Sequence, residues 1–290
     1  MNPSFGITAF CTDLSDAPGA VAAAAESAGF AVLWFPDHTH IPVERRTPFP
    51  GGGELPEQYK RNHDAIVASA FAASSTRAIR VGIGVCLVPA RDPIVLAKQV
   101  ASVDQLSGGR FVLGVGAGWN VEEVEDHGVD AADRWAVMRE RVHAMQTIWA
   151  EDEASFDGRH VSFEPMWSWP KPIDGHVPIV VGGHGDGVLK RVVEYGDEWL
   201  AMVAPGRPPL EQRIATLHRL ADDAGRHPPK VSVQVYGTPP DGRVIDKYLA
   251  MGVDRIDLSV PHGPPTETVD AIGALGDVVS GYGASADFRW

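Results

Sequence analysis

Eight short runs of apolar, mostly β-branched residues recur along the chain, at residues 5–10, 31–35, 80–88, 110–115, 178–181, 198–203, 231–236 and 255–260. They lack a regular apolar/polar alternation, the mark of strands covered on both faces. Stretches with helical punctuation lie between them. Residues 16–28 open at Ser15-Asp16 and stop at Gly29, and residues 64–75 and 93–106 follow the second and third runs. In residues 132–150, Trp135, Met138, Val142, Met145 and Trp149 recur every three or four positions and form one apolar stripe. Residues 186–194, 209–224, 241–251 and 266–275 complete the series. Eight such units predict an α/β fold, a (β/α)8 TIM barrel rather than an open doubly wound sheet, in one domain over residues 1–290. Two segments break the rhythm: residues 36–62, with Pro-Phe-Pro-Gly-Gly-Gly, and residues 152–177, with Pro165, Trp167, Trp169, Pro170 and Pro172. Both read as loop insertions at the C-terminal face of the barrel, forming walls and lids of a site.

The length of 290 residues suits this architecture, which runs to about 250 residues around one core. A net charge of −13 argues against a nucleic-acid surface, which needs a cationic excess, but leaves room for a local basic pocket. Cys11 and Cys86 lie in apolar, strand-like surroundings and read as buried thiols rather than a disulfide. No apolar run approaches the ~18 residues of a membrane span, and no basic leader precedes an apolar core. The expectation is a soluble, cytoplasmic protein with no nucleic-acid or membrane partner.

Candidate chemistry gathers where the runs end. The second run passes into Trp34-Phe35-Pro36-Asp37-His38-Thr39-His40. Here His38 could move a proton near neutral pH while Asp37 fixes its tautomer. The plainer alternative is a histidine that braces the loop. His38 and His40 also form a His-x-His pair, but a metal would need His184 or His262 as well, and no metal is expected. Gly82 and Gly84 inside the third run mark a bulge or a close approach of backbone, either to a packed helix or to a cofactor. Gly114, Gly116 and Gly118 lack the Gly-x-Gly-x-x-Gly spacing of a dinucleotide fold. They read instead as a tip where a flat ligand meets bare backbone, with Trp119 and Asn120 placed to stack and hydrogen-bond. Gly182-Gly183-His184-Gly185-Asp186-Gly187 runs into a helix, and its free N–H groups suit a phosphate. Asp186 opposes an anion there unless it caps the helix. Glu122, Glu123, Glu125 and Asp126 read as a solvated helix start, and Arg134, Arg139 and Arg141 as surface or ion-pair residues.

Several stretches together carry a family likeness: Val32-Leu33-Trp34-Phe35-Pro36-Asp37-His38, Gly84-Val85 through Pro89-Ala90-Arg91-Asp92-Pro93, Ala97-Lys98-Gln99, Asp104-Gln105-Leu106-Ser107-Gly108-Gly109-Arg110, Gly114-Val115-Gly116-Ala117-Gly118-Trp119 and Pro178-Ile179-Val180-Val181-Gly182-Gly183. Over residues 3–260 the chain resembles the luciferase-like monooxygenase superfamily, in particular its coenzyme F420-dependent oxidoreductases. The resemblance implies an enzyme that transfers a hydride between deazaflavin and a small organic substrate. The alternative is an FMN-dependent monooxygenase. A metal-dependent hydrolase and a non-catalytic cofactor carrier are more distant readings. It implies a non-proline cis peptide at Gly84-Val85, with Gly84, Val85 and Cys86 against the cofactor ring. It assigns Gly182, Gly183, His184 and Gly185 to the phosphate, and Gly118, Trp119, Asn120 and Val203 to the cofactor's surroundings. His38 and Asp37 would be catalytic, and Trp34, His40 and Trp119 would line the substrate wall. A homodimer is implied as well. The chain departs from the sugar-phosphate dehydrogenases of the superfamily, which carry a proton-donating glutamate where Trp119 stands. Aromatics of the two insertions, Phe49, Tyr59, Trp167 and Trp169, suggest an apolar or planar substrate.

Overall fold

The computed structural model describes residues 3–203, 206–236 and 240–290. Its strands are β1 (Ser4–Thr8), β2 (Val32–Phe35), β3 (Arg80–Leu87), β4 (Phe111–Gly116), β5 (Ala154–Asp157), β6 (Ser162–Met166), β7 (Ile179–Gly183), β8 (Glu198–Met202), β9 (Lys230–Val235) and β10 (Arg255–Ser259). Eight of them close a parallel barrel in the order β1-β10-β9-β8-β7-β4-β3-β2, and β5 and β6 form a separate antiparallel pair. All eight barrel strands coincide with the apolar runs, because each strand is buried between the barrel lumen and an outer helix.

The helices are α1 (Pro18–Ser27), α2 (Ala65–Ser74), α3 (Pro93–Ser107), α4 (Val121–Asp126), α5 (Arg134–Ala150), α6 (Val188–Tyr195), α7 (Leu210–Asp223), α8 (Gly242–Ala250) and α9 (Glu267–Ser280). Their ends follow local chemistry. Asp64 caps α2 by accepting from the Ile66 and Val67 N–H groups, and Asp92 caps α3 by accepting from Val95 N at 2.9 Å. Helix α3 stops at Gly108, whose φ of 72° suits glycine.

Inside the barrel, Val32, Trp34, Val112, Val180 and Leu200 form a small apolar cluster with Val85 and Trp290 against it. Below this layer Arg255 is fully buried, with Glu198 at 2.6 Å and Asp257 at 2.8 Å. The C-terminal tail closes the amino end of the barrel. The Phe288 and Trp290 rings lie 4.7 and 5.3 Å from the Arg255 guanidinium carbon, and Trp34 lies 5.3 Å from it. Nothing in the hydrophobic pattern pointed to this plug, because the tail forms no regular element.

The two insertions take opposite ends. Residues 36–62 follow β2 and stay at the carboxyl end, as expected. The expectation for residues 152–177 is corrected. They follow helix α5 and lead into β7, so they lie at the amino end, and they contain the β5–β6 hairpin. Ile173 N donates to Asp104 of α3 at 2.9 Å, and His176 bonds Asp197 just ahead of β8 at 2.9 Å. Trp167 and Trp169 are exposed there and do not meet the mouth.

Candidate active site at the carboxyl mouth

Strand β3 sets the floor of the site. Its register against β4 slips between Ile83 and Cys86, one residue more on β3 than on β4. The Gly84–Val85 peptide inside that bulge is cis, at the position the family likeness implied. The bulge pushes Val85 into the lumen, and the glycines of the neighbouring strands make room for it. A Cβ on Gly116 would lie 2.6 Å from Val85 Cγ2, and one on Gly182 2.7 Å from Val85 Cγ1. A Cβ on Gly114 would lie 2.3 Å from the Ile83 carbonyl oxygen. This corrects the reading of Gly114 and Gly116 as bare backbone for a ligand: with Gly182 they form the mould in which the bulge sits.

Asp37 and His38 are both buried but do not pair with each other. The Asp37 carboxylate accepts from Leu87 N at 3.0 Å and from Arg91 Nε at 3.1 Å, and Arg91 reaches on to Asp64 at 2.8 Å. Burial alone would raise Asp64, but the Arg91 charge and the capped N–H groups outweigh it and hold the carboxyl below its usual range. Asp37 therefore ties the end of β2 to the end of β3 and does not orient the histidine. That role falls to Glu123 of α4, whose Oε2 lies 2.7 Å from His38 Nδ1 and whose Oε1 accepts from Thr39 N at 2.9 Å. Glu123 is fully buried, so the reading of a wholly solvated acidic helix start is corrected at this residue.

Trp119 completes the group. Its indole Nε1–H points at His38 Nε2, 3.3 Å away. An indole nitrogen can only donate, so Nε2 is the acceptor and the imidazole proton sits on Nδ1, facing Glu123. Trp119 precedes α4 and Glu123 sits in its first turn, and both meet the His38 ring. No periodicity singled out Glu123 among the acids on either side.

The first insertion folds over this group. Phe49 and Tyr59 pack against the Trp119 ring at centroid distances of 5.9 and 6.5 Å, and Tyr59 lies 5.6 Å from the His38 ring. Arg46 fastens the insertion to α4 through Glu122 at 2.9 Å and through Glu125. Burial would raise Glu122, but hydrogen bonds from Arg46, its own backbone N–H and Thr47 hold it at about 2. Asn120 is fully buried and neither polar atom of its side chain finds a partner in the protein.

Other expected residues fall elsewhere. Trp34 is 1% exposed and lies inside the barrel beneath Gly82 and Gly84, so it packs the floor and does not line a substrate wall. His40 is exposed and bonds Asp126 on the outside of α4, away from the lumen. It cannot share an ion with His38, and His262 bonds Thr12 at 3.1 Å. The Cys86 thiol is fully buried beside Asp37, and burial raises its pKa well above the usual range. Gly118 has a φ of 83°, and its Cβ would meet Val124 and Leu87.

The loop after β7 forms a second part of the mouth. Gly183 has a φ of 133° and Gly185 faces open space. Arg213 holds the loop by donating to the His184 and Gly185 carbonyls at 2.8 and 3.1 Å, and Arg207 pairs with Asp186 at 2.8 Å. Arg191 lies against Gly187 and 4.0 Å from the Trp135 ring, with Arg134 5.6 Å from that ring. Val203, half exposed at the end of β8, lines a cleft with Trp199, Arg207 and Arg213.

Comparison with known proteins agrees with this architecture. The family model described as luciferase-like monooxygenase matches residues 16–239. An uncharacterized protein of Mycobacterium tuberculosis is 36% identical over 263 residues, covering 89% of this chain and 92% of its own. Monooxygenase RslO1 from Streptomyces bottropensis superposes with a TM-score of 0.77 at 17% identity, covering 97% of this chain and 100% of that one. An F420-dependent secondary alcohol dehydrogenase in complex with an F420–acetone adduct gives 0.75, also at 17% identity, over 97% and 99% of the two chains.

Proposed function

Because this chain belongs to the luciferase-like monooxygenase family, we propose that it is an oxidoreductase that uses coenzyme F420 to move a hydride to or from a small, flat organic substrate. The observation that carries the reading is the joining, at one mouth, of the Val85 floor with a tautomer-fixed imidazole above it. The residues fit a bound deazaflavin. Val85 offers an apolar surface for a ring, and Asn120 offers a buried amide with unused donors and an unused acceptor. Gly183 and Gly185 leave the backbone ahead of α6 open to a phosphate. Four arginines surround that loop, Arg134, Arg191, Arg207 and Arg213. Arg213 is buried and spent on the His184 and Gly185 carbonyls and Arg207 is paired with Asp186, so the charge offered to a longer anionic tail, such as that of F420, is that of Arg134 and Arg191, and it favours F420 over FMN.

When bound, the deazaflavin supplies or takes the hydride and does not activate dioxygen. The protein supplies the proton chemistry. His38, with its Nδ1–H held by Glu123, presents the Nε2 lone pair toward the mouth. A substrate hydroxyl takes the place of the Trp119 N–H and gives its proton to Nε2. Glu123 stabilises the positive charge as it develops on the ring, and in the reverse direction Nε2 returns the proton. Phe49, Tyr59 and Trp119 form an aromatic wall suited to an apolar or planar substrate.

A homodimer is part of the proposal. Val67 and Phe71, one turn apart on α2, and Val95 on α3 are exposed apolar side chains on adjacent helices. No described helix is long and apolar enough to cross a membrane. The deciding experiment is titration of cofactor-free protein with F420 and with FMN, followed by fluorescence quenching. Binding of F420 with weak or absent binding of FMN is expected. The opposite preference turns the reading to a flavin monooxygenase, and binding of neither rejects it.

A further inference from the structure

Buried His38 needs a way to exchange its proton with solvent while substrate fills the mouth. The Nε2 side is then closed by the substrate, so any exchange during turnover has to leave through Nδ1. Behind Nδ1 stands Glu123, which is itself fully buried. Three exposed residues continue outward from it. Thr39 Oγ1 lies 3.4 Å from Glu123 Oε1, 2.7 Å from His127 Nε2 and 3.0 Å from His40 Nδ1. The two exposed imidazole rings lie 5.6 Å apart, and Asp126 fixes the far nitrogen of His40 at 2.9 Å. These residues have no part in packing the barrel and lie outside the mouth.

We propose that Glu123, Thr39 and the His127–His40 pair form a proton relay that connects His38 to solvent behind the active site. The proposal rests on His38 being the proton-transfer group of the proposed reaction. As Nε2 takes the substrate proton, the Nδ1 proton passes to Glu123 Oε2. The carboxylic acid then turns about its Cγ–Cδ bond and gives that proton to Thr39 Oγ1. A threonine hydroxyl has one proton and two lone pairs, so it accepts from Glu123 while donating its own proton to a ring nitrogen of His127 or His40. The other ring nitrogen of the receiving histidine releases a proton, from His127 Nδ1 to water or from His40 Nε2 to Asp126 and on to water. One proton enters at Nε2, one leaves at the surface, and no electrons move along the path. In the reverse direction the same groups carry a proton inward. His127 suits the outer position, since partial burial and the neighbouring His40 lower its pKa and favour the neutral, accepting ring. Glu123 and Thr39 act through His38 and are positioning residues.

The test uses the cofactor-free protein, so it stands apart from the titration above. The solvent-exchange rate of the His38 Nδ1–H is measured by nitrogen-15 NMR of the imidazole side chains. Thr39→Val is expected to slow exchange about 10-fold or more, and Thr39→Ser to restore it. The double variant His40→Gln with His127→Gln is expected to slow exchange and to recover it on addition of free imidazole. All substituted side chains are exposed, so the fold is kept. Unchanged exchange in both Thr39→Val and the double variant overturns the relay, as does slowing in the double variant that imidazole fails to relieve. If neither cofactor binds, the reaction assignment falls, and the exchange rates still decide the relay.

Discussion

The seating of Val85 among glycines makes a sharp energetic prediction. Replacing Gly182 with alanine places a methyl 2.7 Å from Val85 Cγ1, and replacing Gly116 places one 2.6 Å from Val85 Cγ2. Overpacking of this kind costs about 1–3 kcal/mol, against which alanine regains roughly 0.5–1 kcal/mol of backbone entropy that glycine loses in a strand. Each single variant should therefore lose about 1–2 kcal/mol. Val85→Ala alone removes two methyl groups from the mould and should also lose about 1–2 kcal/mol. In the double variant the new methyl occupies the space that Val85 has vacated. Gly182→Ala with Val85→Ala should then be more stable than the sum of the singles by about 1–2 kcal/mol. Gly114→Ala is the control. Its methyl would lie 2.3 Å from the Ile83 carbonyl oxygen, which is backbone and cannot be trimmed, so Val85→Ala should relieve it far less. Urea unfolding followed by tryptophan fluorescence measures all three cycles, read at constant slope. Additivity within about 0.5 kcal/mol for Gly182 and Val85, or equal rescue of Gly114→Ala, would refute the mould.

Other consequences are more direct. His38→Ala should cut turnover about 10²-fold or more, with cofactor affinity within a few-fold of the parent; unchanged turnover removes the imidazole from the reaction. Arg91→Met should destabilise the protein by about 3–5 kcal/mol, because Asp37 would be left buried beside the Leu87 N–H and the Cys86 thiol with no compensating charge, and a variant unfolding at the parental urea concentration would count against the pairing. Cys11, its thiol pushed up to about 12 by burial and then by Asp16, and fully buried Cys86 should both resist a thiol reagent at pH 8 until denaturant is added. Glu122 is held at about 2, so its contribution to fastening the first insertion is present above its ordinary value of 4.5 and lost as pH falls from there toward 2. Trp119 fluorescence should report that loosening in the same acidic window, and a transition near neutrality would contradict it.

The barrel was legible in the chain because every strand is buried on both sides, and that burial writes an uninterrupted apolar run. The bulge was legible for a related reason: glycine has no packing role of its own, so Gly82, Gly84, Gly114 and Gly116 in buried strands demanded an explanation. The identity of what the glycines accommodate was not legible, since it depends on β7 lying beside β4 and on Val85 turning inward. Asp37 beside His38 invited pairing in sequence, yet adjacent residues on an extended chain point to opposite sides, and Asp37 turns to Arg91 while His38 turns to Glu123. The partner lies 85 residues away, a contact that depends on β2, β3 and β4 lying side by side. Residues 152–177 show the opposite failure. Their composition is that of a lid, but only connectivity says at which end of the barrel a segment lies, and this one follows a helix.

The interior below the mouth constrains what the site can admit. An empty barrel would let a substrate descend along the axis. Here the axis is filled: Val85 and Trp34 cap the apolar layer, Arg255 with Glu198, Asp257 and Ser232 fills the next, and Phe288 and Trp290 close the end. Burial pushes the Glu198 carboxyl up even beside Arg255, and the neighbouring Asp257, which shares the same guanidinium, adds to the rise. Opening this layer to make depth would strip a partner from a fully buried charge, at about 3–5 kcal/mol for each pair broken. Under the proposed function, chemistry is confined between the Val85 floor and the wall of His38, Tyr59, Phe49 and Trp119, so a flat substrate is expected to turn its reacting group toward Nε2 of His38 and an elongated one to extend outward past the first insertion.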